Sequence, residues 1–157
     1  MKDNLPATLD DIIAFAVRIE EESYAFYAAA AQESAGVRPP EMVKLFKILA
    51  LEEQNHKDIL LRKSPQWKRE AHLPEATRLA ARSLVQLPSI PPDADLSAVL
   101  LAAAGRERAT AQLYRSLLAL SDFGDLQEVF SELVTQEEGH EHRLLSLHKS
   151  LYPQSTE

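Results

Sequence analysis

Hydrophobic side chains recur along this sequence at offsets of three, four and seven residues, which places them on one face of an α-helix. Four long stretches follow this pattern, and segments containing Gly, Pro and Ser separate them. The stretches predict main helices at about residues 9–33, 40–63, 96–120 and 125–152. Because each helix has one apolar face, we expect an all-α protein in which the four helices pack as a bundle.

The ends of the predicted helices have recognisable signals. Thr8 and Asp95 are candidate N-caps of the first and third helices, because their side-chain oxygens can accept hydrogen bonds from first-turn N–H groups. Gly36 ends the first helix and Pro40 begins the second. The sequence Ser-Asp-Phe-Gly at 121–124 predicts a tight loop between the third and fourth helices.

Residues 64–95 interrupt the helical pattern and are rich in proline. The prolines are Pro65, Pro74, Pro88, Pro91 and Pro92. We interpret this segment as a long crossover that returns the chain to the other end of the bundle, with a possible short extra helix at about residues 75–87. Leu79, Leu84 and Leu87 are apolar positions of that helix, and Trp67 is a candidate packing anchor for the crossover.

The second and fourth helices each contain the sequence Glu-x-x-His within an apolar face. The pair in the second helix is Glu53 and His56, and the pair in the fourth is Glu137 and His140. Residues three apart lie one turn apart on the same side of a helix, so the carboxylate and the imidazole project together. A polar pair within an apolar face requires a partner or a metal ion.

The first and third helices contain a matched pair of their own. Glu20 precedes Tyr27 by seven residues, and Glu107 precedes Tyr114 by seven. The order is therefore Glu and then Glu-x-x-His, twice over. Four-helix carboxylate sites use this set, with one Glu from each of two helices and Glu-x-x-His from each of the other two. The repetition predicts a di-metal centre whose ligands are Glu20, Glu53, His56, Glu107, Glu137 and His140.

The charge of this ligand set indicates how many ions it would hold. Four buried carboxylates are strongly unfavourable without compensation, and two divalent ions cancel their charge. Oxygen and imidazole ligands suit two iron ions, with Mn or Zn as possible substitutes. In this assignment each histidine binds one ion, the glutamates of the two Glu-x-x-His pairs bridge the ions, and Glu20 and Glu107 cap one ion each.

Four nearby residues have two possible roles each. The hydroxyls of Tyr27 and Tyr114 would hydrogen-bond the ligand carboxylates and hold them during the reaction, or the two rings would be plain core aromatics. Glu52 and Gln136 would orient the imidazole N–H groups, or they would face solvent. The sequence leaves both alternatives open.

Composition narrows the class of protein. The 157 residues are 45% hydrophobic and 26% charged, which suits a single domain over residues 1–157. The net charge of −7 argues against nucleic acid and membrane surfaces as partners. Cysteine is absent, which excludes a disulfide or a rubredoxin-type centre within this sequence. Because we find neither a signal-peptide pattern nor an apolar run long enough to span a bilayer, we expect a cytoplasmic protein.

The motifs IEEESYAFY, LEEQNH, RERATAQLY and QEEGH together resemble those of the ferritin-like superfamily, and most closely its rubrerythrin branch. The resemblance covers roughly residues 9–63 and 96–152 and leaves the crossover unmatched. It implies a ferritin-like left-handed four-helix bundle with a di-iron centre, usually as a homodimer or a larger assembly. It also implies reduction of hydrogen peroxide with electrons from a separate donor such as a rubredoxin.

Two positions depart from the patterns of related branches. Rubrerythrins tend to have an additional ligand Glu one turn after the Glu of the third helix, where this sequence has Thr110. Bacterioferritins ligate haem through a Met that follows the bridging Glu of the second helix, where this sequence has Gln54, so we expect no haem. Ordinary ferritin subunits, in contrast, lack the histidine that His140 supplies here.

Three functions are therefore open on the sequence. The first is a rubrerythrin-like di-iron peroxidase or oxidase that reduces hydrogen peroxide or oxygen with an external electron donor. The second is a ferroxidase that serves iron storage or detoxification. The third is a non-redox bundle that keeps its metal for structure or for binding a partner.

Overall fold

The computed structural model describes residues 4–90, 93–120 and 124–154 of the chain. Within these ranges the chain is helical and forms no β-strand, which confirms the prediction of an all-α protein. The α-helices there are α1 (Leu9–Ser34), α2 (Pro40–Lys63), α3 (Glu75–Val85), α4 (Leu96–Leu117) and α5 (Leu126–Leu151), and a short 3₁₀ helix spans Ser64–Gln66. No helix in these ranges is long and apolar enough to cross a membrane.

The chain divides into two compact units. The N-terminal unit, Pro6–His72, contains α1 and α2, and the C-terminal unit, Leu73–Glu157 with Met1–Leu5, contains α3, α4 and α5. Within each unit the two longest helices pack against each other. The single ferritin-like domain, its left-handed four-helix bundle and its long crossover stay predictions.

The two helices of the N-terminal unit run antiparallel. Glu21 on α1 contacts Lys57 near the end of α2, and Tyr27, further along α1, stacks on Phe46, which lies earlier in α2. Contacts that advance along one helix and retreat along the other require opposite directions. The middles of α1 and α2 therefore lie side by side, which brings their central polar residues together.

The start of α1 has a reciprocal cap, as the sequence predicts at Thr8. The Thr8 hydroxyl accepts a hydrogen bond from the Asp11 N–H at 3.3 Å, and the Asp11 carboxylate accepts one from the Thr8 N–H at 3.1 Å. The N–H of Ala7 donates to the same carboxylate at 3.2 Å. Hydrogen bonds from the Ala7 and Thr8 backbones, and then from the Thr8 hydroxyl, lower the pKa of Asp11 because they favour its charged form.

The first part of the predicted crossover is hydrogen-bonded to the start of α1. The N–H groups of Leu9 and Asp10 donate to the carbonyls of Ala71 at 2.8 Å and Arg69 at 3.0 Å. These first-turn N–H groups have no partner within their own helix, so the returning chain satisfies them. Trp67 precedes this stretch and is buried, as expected of a packing anchor.

The extra helix of the C-terminal unit, α3, forms as predicted but ends at Val85, before the expected residue 87. It packs on α4, where the Ser116 hydroxyl donates to the hydroxyl of buried Thr77 at 2.8 Å. Leu84 is buried as expected, whereas Leu79 is 50% exposed, and this part of the prediction is wrong. Thr77, Ala81 and Leu84 define the packed face, and Leu79 lies away from it.

The helices α4 and α5 also run antiparallel. Arg108 pairs with Glu141, and Tyr114, further along α4, packs against Phe130, which lies earlier in α5. The side chain of Asp95 accepts a hydrogen bond from the Ala98 N–H at 2.8 Å and caps α4 as predicted.

The α4 helix ends at Leu117 rather than near residue 120, because the hydrogen bonds of the following turn span three residues instead of four. The N–H of Leu118 donates to Arg115 and that of Leu120 to Leu117, three residues back in each case. The predicted tight loop at 121–124 lies outside the described residues except for Gly124, whose φ of 58° is left-handed.

One position on the inner face of α1 differs from expectation. The sequence pattern suggests that Tyr24 faces inward, but it is 41% exposed, while Ser23 is 4% exposed. The buried arc of α1 includes Ile12 and Ala16 and is centred to one side of Glu20. Tyr24 lies on the opposite side of Glu20 from the centre of that buried arc, because successive residues turn by about 100°.

The glycines inside α4 and α5 make no close approach to neighbouring atoms. A Cβ added at Gly105 or Gly139 would have no atom within 4 Å. Within the described part of the chain, Gly139 therefore serves no close contact with another backbone. Neither glycine has the positive φ that Gly36 adopts at 76° in the turn after α1.

We predict that Gly105→Ala stabilises the protein. Glycine in a helix interior costs about 0.5–1 kcal/mol relative to alanine, and the added methyl group meets no neighbour. The free energy of unfolding of the metal-free protein, from denaturant titration, should rise by about this amount. Gly36→Ala is the matched control and should lower it by roughly 1 kcal/mol, because alanine resists a positive φ. A loss of stability in Gly105→Ala would contradict the packing described for α4.

Candidate metal centre

The N-terminal unit brings together a glutamate from α1 and the Glu-x-x-His pair of α2. His56 Nδ1 lies 3.5 Å from Glu20 Oε2 and 3.9 Å from Glu53 Oε1. The side chains of all three residues are no more than 1% exposed. Each offers one possible ligand atom, and these atoms lie within 4.8 Å of one another. We call this group the N-terminal half-site.

The C-terminal unit repeats this arrangement with α4 and α5. His140 Nδ1 lies 3.4 Å from Glu107 Oε2 and 3.3 Å from Glu137 Oε2. These three side chains are also almost completely buried, at 3% exposure or less. Their possible ligand atoms again lie within 4.8 Å of one another. We call this group the C-terminal half-site.

The two half-sites use the same residue types and the same atom of the imidazole ring. In both, Nδ1 faces a carboxylate from the neighbouring helix and a carboxylate one turn earlier on its own helix. Antiparallel packing brings these groups together, because each lies near the middle of its helix. The structure therefore brings the six predicted ligands together in two groups of three, one group in each unit.

The donor set of each half-site fits a metal ion. Metal–oxygen and metal–nitrogen bonds of about 2.0–2.2 Å place neighbouring donors roughly 3–3.5 Å apart, close to the distances between Nδ1 and the carboxylates. Two carboxylates and one neutral imidazole carry a charge of −2, which one divalent ion cancels. Two carboxylates at this depth without a compensating charge would be costly.

Each unit has a buried aromatic pair about two turns along its helices from the half-site. Tyr27 stacks on Phe46 with ring centroids 6.3 Å apart, and Tyr114 packs against Phe130 at 5.5 Å. Both tyrosines are almost completely buried, at 1% and 0% exposure. The role of the rings as core aromatics is therefore established for both units. That their hydroxyls also hold the ligand carboxylates stays a prediction.

Each half-site is flanked by an ion pair between its two helices, and the acidic and basic residues occupy opposite helices in the two units. Glu21 on α1 pairs with Lys57 on α2, with their charged atoms 3.0 Å apart. At the equivalent positions of the C-terminal unit, Arg108 on α4 pairs with Glu141 on α5 at 2.5 Å. Basic and acidic residues have thus exchanged helices between the repeats. If α1 packed against a helix with the charges of α5, two carboxylates would lie together. The arrangement of charges therefore favours the observed pairs, α1 with α2 and α4 with α5.

The remaining candidate residues have ordinary contacts. Glu52 and Gln136 are half-buried, and the Gln136 amide donates to Glu132 at 3.0 Å, so their orienting role stays a prediction. The Gln54 amide donates to Asp58 at 3.3 Å. The hydroxyl of buried Thr110 donates to the carbonyl of the residue one turn earlier at 2.9 Å.

Sequence reasoning missed two features near the candidate centre. Ser23, three residues after Glu20, is buried at the position equivalent to Thr110, so both repeats have a small hydroxyl residue there. The internal repeat contained this signal. His148 belongs to no motif of the sequence, but its Nε2 lies 2.7 Å from the Ser97 hydroxyl and links the last turn of α5 to the first turn of α4.

Comparisons with protein-family models, with curated proteins and with solved structures find no match for this chain. The functional argument therefore depends on the two half-sites themselves.

We predict that exchanging the charges of one flanking ion pair is tolerated and that reversing a single charge is not. Glu21→Lys places two ammonium groups side by side and should lower the free energy of unfolding by about 0.5–1 kcal/mol. Glu21→Lys combined with Lys57→Glu should recover most of the loss. Denaturant unfolding at low ionic strength measures both, and added salt should reduce the difference. A double variant as unstable as the single variant would show that the pair contributes nothing.

Proposed function

We propose that this chain is a rubrerythrin-like di-iron protein that reduces hydrogen peroxide or oxygen with electrons from a separate donor. The observation that supports the proposal is the duplication of a buried half-site with two carboxylates and one imidazole. A single buried histidine beside acids has many explanations. Two half-sites with the same spacing, burial and ring nitrogen favour a common function in metal binding.

In this proposal the chain adopts the ferritin-like four-helix arrangement that its sequence motifs imply, and its six candidate ligands would hold two iron ions. Glu53 and Glu137, together with Glu20 and Glu107, would supply the carboxylate ligands, and the two histidines would supply the nitrogen ligands. The internal repeat supports this arrangement, because such four-helix centres draw on two similar helix pairs. A homodimer also belongs to the proposal, through the resemblance of the four sequence motifs.

The residues of the chain perform three tasks in this proposal. His56 and His140 present Nδ1 toward the carboxylates, so each imidazole is already oriented for an ion. Burial of the ligands limits access to small oxidants and excludes bulk water. An iron pair, when bound, supplies two electrons by passing from the ferrous to the ferric state.

The reaction needs electrons and protons from outside the centre. Reduction of hydrogen peroxide to two waters consumes two electrons and two protons. The sequence has no cysteine and therefore no iron–sulfur centre of its own to return those electrons. A separate electron carrier, such as a rubredoxin, is therefore part of the proposal.

Thr110 favours a second candidate function, in which the centre oxidises iron for storage or detoxification. Rubrerythrins tend to have a ligand Glu at this position, whereas the Thr110 hydroxyl donates to a backbone carbonyl of its own helix. The centre would then have one carboxylate fewer than the enzymes it resembles. The choice between the two functions depends on which oxidant reacts and on how much iron accumulates.

We predict that the reconstituted protein holds about two ferrous ions per chain. His56→Ala and Glu137→Ala should each lower the iron content sharply, because each removes a ligand from a buried half-site. His72→Ala is the matched control, since His72 is exposed and distant from both half-sites in sequence, and it should retain full iron content. Iron is measured by elemental analysis after anaerobic loading and desalting.

The decisive variant for this assignment combines Glu53→Ala with Glu137→Ala. Full iron content in that protein would overturn the proposed centre. Zinc or manganese binding with the same stoichiometry and the same sensitivity to ligand removal would support the site. Such a result would also show that the site does not select iron over these metals.

We predict one fast oxidation of the ferrous protein by hydrogen peroxide and a slower one by oxygen, with little turnover until a reductant is added. Stopped-flow absorbance after mixing with equal concentrations of each oxidant measures both rates. Faster reaction with oxygen, together with accumulation of more than two iron ions per chain, would support iron handling instead. No reaction with either oxidant would favour the non-redox role.

A further inference from the structure

A groove with a basic lining lies in the N-terminal unit, at the turn between α1 and α2. Its volume is about 640 Å³, and it is open to solvent. Arg38, Lys44 and Lys47 supply three positive charges to its walls, while Pro40 and Val43 contribute apolar surface. We call it the basic groove.

Nothing in the described part of the chain neutralises the charges of the basic groove. Among the described residues, Arg38, Lys44 and Lys47 form no ion pair, whereas Lys57, which lies further along α2, pairs with Glu21. All three groove cations are exposed. The neighbouring carboxylate of Glu41 does not line the groove. A concave surface with three available cations is therefore present in a chain whose net charge is −7.

The internal repeat shows that these cations are not required by the fold. Aligning the two Glu-x-x-His pairs places Lys44 at the position of Glu128 in α5 and Lys47 at the position of Ser131. The ligands and the aromatic pair recur in both repeats, but the basic residues occur only in the first. A feature that the second repeat replaces with an acid and a serine is unnecessary for helix packing, which indicates another role.

The basic groove lies on the same helices as the N-terminal half-site. Lys47 precedes Glu53 by six residues, which corresponds to about 9 Å along α2. Phe46 immediately precedes Lys47 in α2, and its ring stacks on buried Tyr27, which Phe26 contacts edge-on at 5.1 Å. A partner that contacts Lys47 would therefore lie about two turns of α2 from the half-site.

We propose that the basic groove docks an acidic segment of an electron-carrier protein. Three exposed cations beside the apolar surface of Pro40 and Val43 match a protein surface that presents carboxylates beside apolar side chains. The acidic character of the partner follows from the groove, whereas its identity as an electron carrier rests on the proposed function. Each encounter oxidises the carrier by one electron, so two encounters supply the two electrons that one peroxide consumes.

The binding part of the proposal is tested on the metal-free protein, without reference to activity. The probe is a fluorescein-labelled octaglutamate peptide, followed by anisotropy at several salt concentrations. The test variant is Lys44→Glu with Lys47→Glu, and the matched control is Lys68→Glu with Lys149→Glu, which changes the net charge equally at exposed positions outside the groove. We expect the groove variant to weaken binding by about tenfold or more, and the control to change it little. Lys44→Gln with Lys47→Gln should give a smaller loss in the same direction.

Equal weakening by the groove and control variants would overturn the proposal, because it would show a general effect of net charge. Absence of peptide binding to the unaltered protein would overturn it as well, and would leave the proposed function untouched. If sedimentation shows a dimer that dissociates only in the groove variant, the occupant is a second copy of this chain and not an electron carrier.

The electron-carrier part is tested on the iron-loaded protein. Re-reduction after one peroxide oxidation is followed with an acidic rubredoxin as donor, and with reduced methyl viologen as a small cationic donor. We expect the groove variant to slow re-reduction by the rubredoxin about tenfold or more and to leave the viologen rate unchanged. Equal rates with rubredoxin in the groove and control variants would overturn the carrier role, even if the peptide binds.

Discussion

The interaction on which this structure depends is the burial of carboxylates against an imidazole in the middle of each helix pair. Glu20, Glu53 and His56 are almost inaccessible to solvent, and the same is true of their counterparts in the C-terminal unit. Buried carboxylates are tolerated only when positive charge or hydrogen bonds compensate them. A divalent ion in each half-site would supply that charge, so the metal would stabilise the fold as well as provide the chemistry.

The buried residues of the two units are similar, whereas their exposed residues differ. Ligands, aromatic pairs and the small hydroxyl residues Ser23 and Thr110 recur, because each occupies a buried position with little freedom. The flanking ion pairs keep their place but exchange their charges, and the cations at Lys44 and Lys47 have no counterpart. Exposed positions tolerate such divergence, so functions specific to one repeat are expected there.

Periodicity was a reliable guide to the helices and a weaker guide to their edges. The bounds of α1, α2 and α5 lie within one residue of expectation, because capping residues and prolines mark most of their ends. Tyr24 and Leu79 were misplaced, since an apolar residue at the margin of a helical stripe can face either way. The hydrogen bonds from Leu9 and Asp10 to residues 69 and 71 had no local signal, because they join residues about sixty positions apart.

The sequence by itself determined the helical class and identified the six candidate ligands, because both depend on short spacings that repeat within single helices. Tertiary structure alone decided which atoms meet: that Nδ1 of each histidine faces two carboxylates, and that Glu21 and Arg108 find partners of opposite charge. It also decided that Arg38, Lys44 and Lys47 line one groove. Such relations depend on how two helices pack and turn against each other, which no spacing along one helix contains.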